Sequence, residues 1–533
     1  MKIYIGGAWP YANNSLHIGH LAALLPGDVI ARYYRLKGDE VIYVSGTDAH
    51  GTPITLRAKE ENKTPKQIAR FYHEEFANNF KALDFSYDLY GVTYDEFHKE
   101  KVQEYFLQIK KNGYIYEKEA EQDYCAHCEQ FLSDREIIGV CPSCGGLAKG
   151  DQCETCLVTF NAGDIKNKKC KHCAQSTTLK ENTHLYFALS KFQRQIEALV
   201  KQSQDKWRLN AVNETIKYLD EGLIDRATTR EISWGVDVPV AGFENKKIYV
   251  WIEAVLGYLT AAEKYAFKKG IDFNAFMRDA KDLRTYYVHG KDNIPFHTII
   301  YPSLLIAINN GFKLPDYIIS SEYINVLDEK MSKSTGNLVP INDLLTKYNS
   351  DTVRYYTIFN GPEKRDINFS FEELETLHNK HLVGGYGNFV NRNLAFLVKK
   401  FNGVVPTGTM DQSIDKMIDN TYIEVGRLIE KGDLKAALNI LMNFVQSANK
   451  YYDDQKPWLQ VKESPLDFNN TTFTCINIMA NMANLFSPFM PKSSATLKEM
   501  LSITEVGWQK VQVKLNLKLS NVDILFERIE STR

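Results

Sequence analysis

Residues 2–48 read KIYIGGAWPYANNSLHIGHLAALLPGDVIARYYRLKGDEVIYVSGTD. KIYIGGAW is a short apolar run closed by a turn, which predicts a buried strand. From Ile18 to Leu36 the apolar residues recur at helical spacing, and KGDEVIYVSGTD returns to a strand pattern. Strand, helix, strand in this order opens a parallel, doubly wound sheet of the Rossmann type, with helices on both faces. Ligands of such sheets gather at the carboxyl ends of the strands. His17 and His20 fall at the first strand-to-helix junction, where free backbone N–H groups are expected to favour an anion. Gly19, between them, allows close approach, and the two imidazoles can donate hydrogen bonds to a phosphate.

Far downstream stands NVLDEKMSKSTGN, with Lys330, Ser332, Lys333 and Ser334 in a run of small and cationic residues before a Gly-Asn turn. Two lysines on a glycine-flanked loop suit a clamp that closes on a polyphosphate. The segments AWPYANNSLHIGH, SGTDAHGTPI, IYVWIEAVLGYL, VHGKDNIPFH, SSEYINVLDEKMSKSTGN and KPW follow in order along nearly the whole chain. In these blocks the sequence resembles the class I aminoacyl-tRNA synthetases, and among them the methionine-specific branch.

The resemblance implies activation of methionine by ATP to methionyl-adenylate and pyrophosphate, then transfer to the 3′ end of tRNA(Met). His17, His20, Lys330 and Lys333 would be catalytic, and Gly19, Gly290 and Asp292 would join His17, His20 and Lys333 in holding ATP with Mg²⁺. Methionine would lie among Ala8, Trp9, Tyr11, Trp251, Tyr258 and His297, with Asp48 meeting its ammonium. An apolar, aromatic pocket suits a polarisable thioether. Glu253 and Val255 stand where relatives often carry Asp and Pro, which leaves the roles of these two open.

Eight of the nine cysteines form four CxxC pairs: Cys125/Cys128, Cys141/Cys144, Cys153/Cys156 and Cys170/Cys173. Without a leader sequence, this usage indicates metal rather than disulfides. Four thiolates close a tetrahedral zinc site and eight permit two, each without an open position and therefore structural. Spacing does not decide which pairs share a metal. Sequential sharing joins the first two pairs and the last two; nested sharing joins Cys141, Cys144, Cys153 and Cys156, with Cys125, Cys128, Cys170 and Cys173 on a second zinc. The resemblance favours the nested arrangement. Cys475, in FTCINIMANMANLF, reads as a buried helix residue.

From about Leu377 helical periodicity dominates, which predicts an α-helical bundle. Its first segment, residues 376–410, holds Lys380, Arg392, Lys399 and Lys400 and no acid. Asn388 and Arg392 share one helix face, while Trp458 comes from another helix. The resemblance assigns these three to the anticodon, whose splayed bases stack on aromatics. The expected divisions are a first Rossmann half (1–115), a zinc-binding insertion (116–228), a second half (229–325), the lysine loop with a linking segment (326–376) and the bundle (377–533).

The net charge of −2 excludes blanket electrostatic binding of nucleic acid and leaves room for a local basic face. The absence of a membrane-length apolar run and of a signal peptide predicts a cytoplasmic protein. The chain ends without the small barrel domain that dimerises some relatives, so a monomer is expected. Rival readings are a synthetase for leucine, valine or cysteine, a small-molecule nucleotidyltransferase, and a zinc-dependent RNA-binding protein with a dead site. The insertion is too short for a large editing domain, and the intact histidines and lysines argue against a dead site.

Overall fold

The computed structural model describes all residues except 133–135, 150–151, 154–164, 279–280, 327–328, 331–337, 505–506, 515–517, 520–521 and 531–533; of residues 149, 152–153 and 329–330 it describes the backbone alone. Five strands form the central parallel sheet: β1 (Lys2–Gly7), β2 (Glu40–Thr47), β3 (Leu89–Val92), β4 (Leu283–Gly290) and β5 (Tyr317–Ser321). Their order is β5-β4-β1-β2-β3. Lys2 faces Glu40 on one side and Leu283 on the other, so β1 is central and fully paired. The order runs outward from β1 in both directions, which puts the topological switch point between β1 and β4.

Alternation along β1 feeds two cores. Ile3 and Ile5 join the core beneath helix α1 (Ile18–Leu36), while Tyr4 joins the core on the opposite face with helix α2 (Val250–Lys269). Side chains of a strand alternate between faces, so a run apolar at successive positions is what a strand covered on both sides requires. The expected limits of α1 coincide with the observed ones.

Between β3 and β4 the chain runs out along a long antiparallel hairpin, Ile115–Cys125 against Thr178–Phe187, with Ile115 opposite Phe187 and Tyr124 opposite Thr178. Cys125, Cys128, Cys170 and Cys173 lie at its far end.

The C-terminal part is helical: α3 (Ser350–Phe359), α4 (Asn388–Phe401), α5 (Gln412–Lys431), α6 (Leu434–Gln455), α7 (Pro457–Glu463) and α8 (Pro465–Leu485). Residues His378–Gly387, immediately before α4, wind as a π-helix, a departure that a 3.6-residue period does not reveal. Cys475 is fully buried in α8. One core is continuous from α1 through α3 into the bundle. A buried ion pair fastens it: Arg354 on α3 reaches Asp28 on α1 at 2.7 Å and donates to the carbonyls of Pro488 and Phe489. Among the described residues, no helix is long and apolar enough to cross a membrane.

Candidate active site

α1 begins at the carboxyl end of the sheet, and His17 is its N-cap in an extended conformation. The His17 Nδ1 accepts the Gly19 N–H at 3.2 Å, and the His20 Nδ1 accepts the His17 N–H at 3.2 Å. Each Nδ1 therefore carries a lone pair, and in the neutral ring the proton sits on Nε2. The ring centroids are 4.0 Å apart. Burial, and then the neighbouring His17, push the His20 pKa well below the usual histidine value, so His20 is neutral.

This geometry corrects one expectation. The Ile18 N–H goes to the Val339 carbonyl at 3.1 Å, and the His20 and Leu21 N–H groups return to the His17 carbonyl. The first turn of α1 thus spends its amides inside the chain, and an anion there meets imidazole Nε2–H groups rather than free backbone.

The same hydrogen bonds bring the foot of the lysine loop to the histidines. Ile18 binds Val339, Ile341 donates to the Leu16 carbonyl at 3.0 Å, and His17 forms a bridge with Pro340. On the other side of the loop, Lys330 pairs with Asn325 in a short antiparallel ladder. The Lys330 side chain and all of Lys333 lie outside the described residues. Gly290 ends β4, and a Cβ there would meet nothing within 4 Å, so it borders open space. Asp292, in the turn after it, contacts the Tyr323 hydroxyl.

The segments leaving β1 and β2 zip together beside this point. Ala12 donates to the Asp48 carbonyl and Asp48 to the Pro10 carbonyl, with Tyr11 and Asp48 paired as a bridge. The Ala8 N–H is held by Val288 of β4 at 2.9 Å. The Trp9 ring lies across three glycines, and a Cβ at Gly46 would come within 2.6 Å of it. Gly46, Gly91 and Gly257 thus make the slot the indole fills. Asp48 is 4% exposed, and burial followed by the charge of Glu253 pushes its carboxyl well above the usual range. An incoming ammonium would relieve that cost.

On helix α2, Trp251 stacks on Phe296 with centroids 4.3 Å apart. The His297 Nδ1 is 2.7 Å from the Asn293 carbonyl, which can only accept, so Nδ1 bears the hydrogen and Nε2 accepts from the Tyr258 hydroxyl at 2.6 Å. Burial lowers the His297 pKa to about 4, leaving a neutral imidazole among aromatic rings. The chemistry this arrangement offers is an apolar, sulfur-tolerant wall with one buried carboxyl at its mouth.

Sequence reading did not single out His50, His98, His289, Phe296 or Arg208. His289 stacks on His297 at 4.0 Å, and the Arg208 guanidinium ties Ser321 of β5 to the Gly432 carbonyl behind α5. His50, in GTDAHGT, and the acid in the apolar run YVWIEAVLGYL were the available signals.

At the end of the hairpin, one ligand atom from each of Cys125, Cys128, Cys170 and Cys173 lies within 4.8 Å of the others. Sulfurs of Cys125 and Cys173 are 3.4 Å apart, those of Cys128 and Cys170 3.9 Å. Four bonds of about 2.3 Å to one zinc place sulfurs about 3.8 Å apart, so the donor set fits. This is the outer set of the nested arrangement. Of the inner set, Cys141 and Cys144 are described, whereas the Cys153 side chain and all of Cys156 lie outside the described residues.

On the bundle, Asn388 is exposed at the start of α4, one turn before Arg392. Arg392 bonds Asp453 at 2.8 Å and the Asn449 side chain at 3.1 Å, and its guanidinium lies over the Tyr452 ring at 4.2 Å. Tyr452 in turn meets Trp458, which is 44% exposed. An acid-free segment therefore acquires a carboxylate from α6.

The family described as tRNA synthetases class I (M) matches residues 3–394, and the anticodon binding domain of methionyl tRNA ligase matches residues 404–531. Methionine–tRNA ligase 1 of Alkaliphilus oremlandii is 47% identical over 99% of this chain and 98% of its own length. Methionine–tRNA ligase of Bacillus mycoides is 48% identical over 99% and 97%. Among solved structures, Mycobacterium tuberculosis methionyl-tRNA synthetase in complex with methionyl-adenylate superposes with a TM-score of 0.83 at 25% identity, covering 99% of this chain and all of that one.

Proposed function

The chain belongs to the methionine branch of the class I tRNA synthetases, and on that premise we propose how its residues divide the work. Its reaction is the charging of tRNA with methionine. A methionine carboxylate oxygen attacks the α-phosphorus of ATP, giving methionyl-adenylate as pyrophosphate leaves. A ribose hydroxyl at the 3′ end of tRNA(Met) then takes the methionyl group and AMP departs.

His17 and His20 hold the phosphates through Nε2–H. Such donors position the phosphates, which suits phosphoryl chemistry that depends on positioning more than on a covalent nucleophile. Lys330 and Lys333 draw charge from the departing pyrophosphate. Mg²⁺ entering with ATP would supply charge neutralisation at the phosphate oxygens beside these residues. Gly19 and Gly290 leave room for the nucleotide, and Asp292 lines its side of the crevice. Asp48 takes the methionine ammonium, and Ala8, Trp9, Tyr11, Trp251, Tyr258 and His297 enclose the side chain.

Zinc is the metal we assign to Cys125, Cys128, Cys170 and Cys173. Four thiolates leave no coordination position for substrate, so its role is to fix the tip of the insertion. Asn388, Arg392 and Trp458 read the anticodon, with the divisions at residues 116, 229, 326 and 377 separating these tasks.

One observation supports this reading best: Val339 and Ile341, at the exit of the lysine loop, are hydrogen-bonded to Ile18 and Leu16 at the switch point of the sheet. ATP–pyrophosphate exchange measured with each of the twenty amino acids tests it. Methionine should support exchange; a chain that responds to none, or to a different one, would overturn the reading.

A further inference from the structure

A buried polar cluster lies behind the amino-acid pocket, centred on Glu253, whose role the sequence left open. Glu253 is 0% exposed in the first turn of α2. Its Oε1 is 2.5 Å from His50 Nδ1 and 3.4 Å from His98 Nε2, and both imidazoles are buried. Burial pushes the Glu253 carboxyl up, but the contacts with His50 and His98 together outweigh it and hold the group below its usual range, so it is a carboxylate. The positive end of the helix dipole favours the same charge state.

Each histidine leads to a wall of the pocket. His50 follows Asp48 by two residues, and its backbone N–H points at Asp48 Oδ1 from 3.5 Å. His98 is fixed by Thr260 at 2.8 Å, and its ring is 5.9 Å from the Trp9 ring. Among the described residues, Glu253 Oε2, His50 Nε2 and Trp9 Nε1 are buried without a hydrogen-bond partner. Buried polar atoms are nearly always paired, and a cluster left this incomplete costs stability. Packing alone gives no reason to keep it.

We infer that Glu253 is a positioning residue of the amino-acid subsite, acting through His50 on Asp48 and through His98 on Trp9. This rests on the reading of Asp48 as the group that meets the methionine ammonium. The Glu253 carboxylate also makes that end of the pocket more negative, which favours the methionine ammonium.

The experiment is ATP–pyrophosphate exchange with methionine and ATP varied separately, on full-length Glu253→Gln, Glu253→Asp, Asp48→Asn and the Asp48→Asn/Glu253→Gln double variant. Glu253→Gln should raise the methionine KM about tenfold while the ATP KM stays within about twofold. Glu253→Asp, which keeps the charge, should recover to within about threefold of the parent. In the Asp48→Asn background, Glu253→Gln should add less than about twofold, because residues acting through one another are not additive. A methionine KM unchanged in Glu253→Gln, equal shifts in both KM values, or effects that multiply with Asp48→Asn would overturn the inference. Asp48→Asn alone leaving the methionine KM unchanged would instead remove the reading beneath it. Should Glu253→Gln not fold, His50→Leu should show the same methionine-specific loss and His50→Asn, which keeps a donor near the Nδ1 position, should not; matching KM values for those two would also overturn it.

Discussion

Ile18, the first residue of the helix that carries both imidazoles, donates its N–H to the carbonyl of Val339 at 3.1 Å. Through this bond the exit of the lysine loop is fixed to the histidine end of the site, while its entrance is fixed by the ladder between Asn325 and Lys330. Whatever the loop does in catalysis, it does between two anchored feet.

A lysine carried on such a loop should act on charge that develops in the transition state, not on the ground-state amino acid. Lys333→Ala should therefore slow pyrophosphate exchange about 100- to 1000-fold, the usual cost of one well-placed donor, and leave methionine binding nearly intact. Equilibrium dialysis of methionine beside exchange kinetics checks both halves. Near-normal exchange would dismiss the assignment.

The Tyr258 hydroxyl is the donor to His297 Nε2, and both groups are buried. Tyr258→Phe keeps the ring and leaves that acceptor without a partner, at a cost of about 1–3 kcal/mol. We expect a higher methionine KM, an unchanged ATP KM and a lower denaturant midpoint. A variant as stable and as tight for methionine as the parent would show that the pair is idle.

Much of this arrangement was legible in the sequence where contacts are local or periodic. β1, α1 and β2 follow from residues 2–47, because alternation and helical period are properties of short windows. The pairing of Glu253 with His50 was not, since the two lie on different elements and nothing local to YVWIEAVLGYL names the partner. The spent amides of α1 were hidden for the same reason, as Val339 comes from the far side of the lysine loop. Cysteine spacing could not choose between pairings because the choice is made by the register of a hairpin, Tyr124 opposite Thr178, that carries Cys125 to the side of Cys170 and Cys173. The π-helix at His378–Gly387 differs from an α-helix by one residue per hydrogen bond, too little for an apolar pattern to register.

Arg392 is held by Asp453, Asn449 and Tyr452, so its guanidinium is oriented before any RNA arrives. Arg392→Ala should lower kcat/KM for tRNA about 5- to 150-fold, the equivalent of one stacked or bonded base, and spare exchange. Parallel charging and exchange assays distinguish the two. Equal damage to both would place Arg392 in the scaffold rather than at the anticodon.

The four clustered thiols make a claim about metal content. The purified protein should carry at least one zinc, and Cys170→Ser should lose one equivalent and melt at a lower temperature, because metal binding energy is folding energy for a site of this size. Elemental analysis with thermal melts gives the answer. Full zinc retention in Cys170→Ser would reject the outer set as the site.

His289 and His297 connect the pocket to pH. They stack face to face at 4.0 Å, are both buried, and both have pKa values lowered by burial, His297 to about 4. In the unfolded chain each titrates near the ordinary value of about 6.5. Above that pH both states are neutral and these rings add no pH dependence. Below it the unfolded state binds protons that the folded state refuses, so folding stability falls as pH drops, by about 1.4 kcal/mol per ring per pH unit until the folded pKa is reached. From pH 7.5 to 5.5 the pair should therefore cost about 2.5–3 kcal/mol, read from denaturant unfolding at the two values. His297→Gln removes one of the two groups, and its loss over the same interval should be smaller by about 1.4 kcal/mol. An identical loss in parent and variant would mean that His297 takes up its proton in the folded protein, and the neutral acceptor assigned opposite the Tyr258 hydroxyl could not stand.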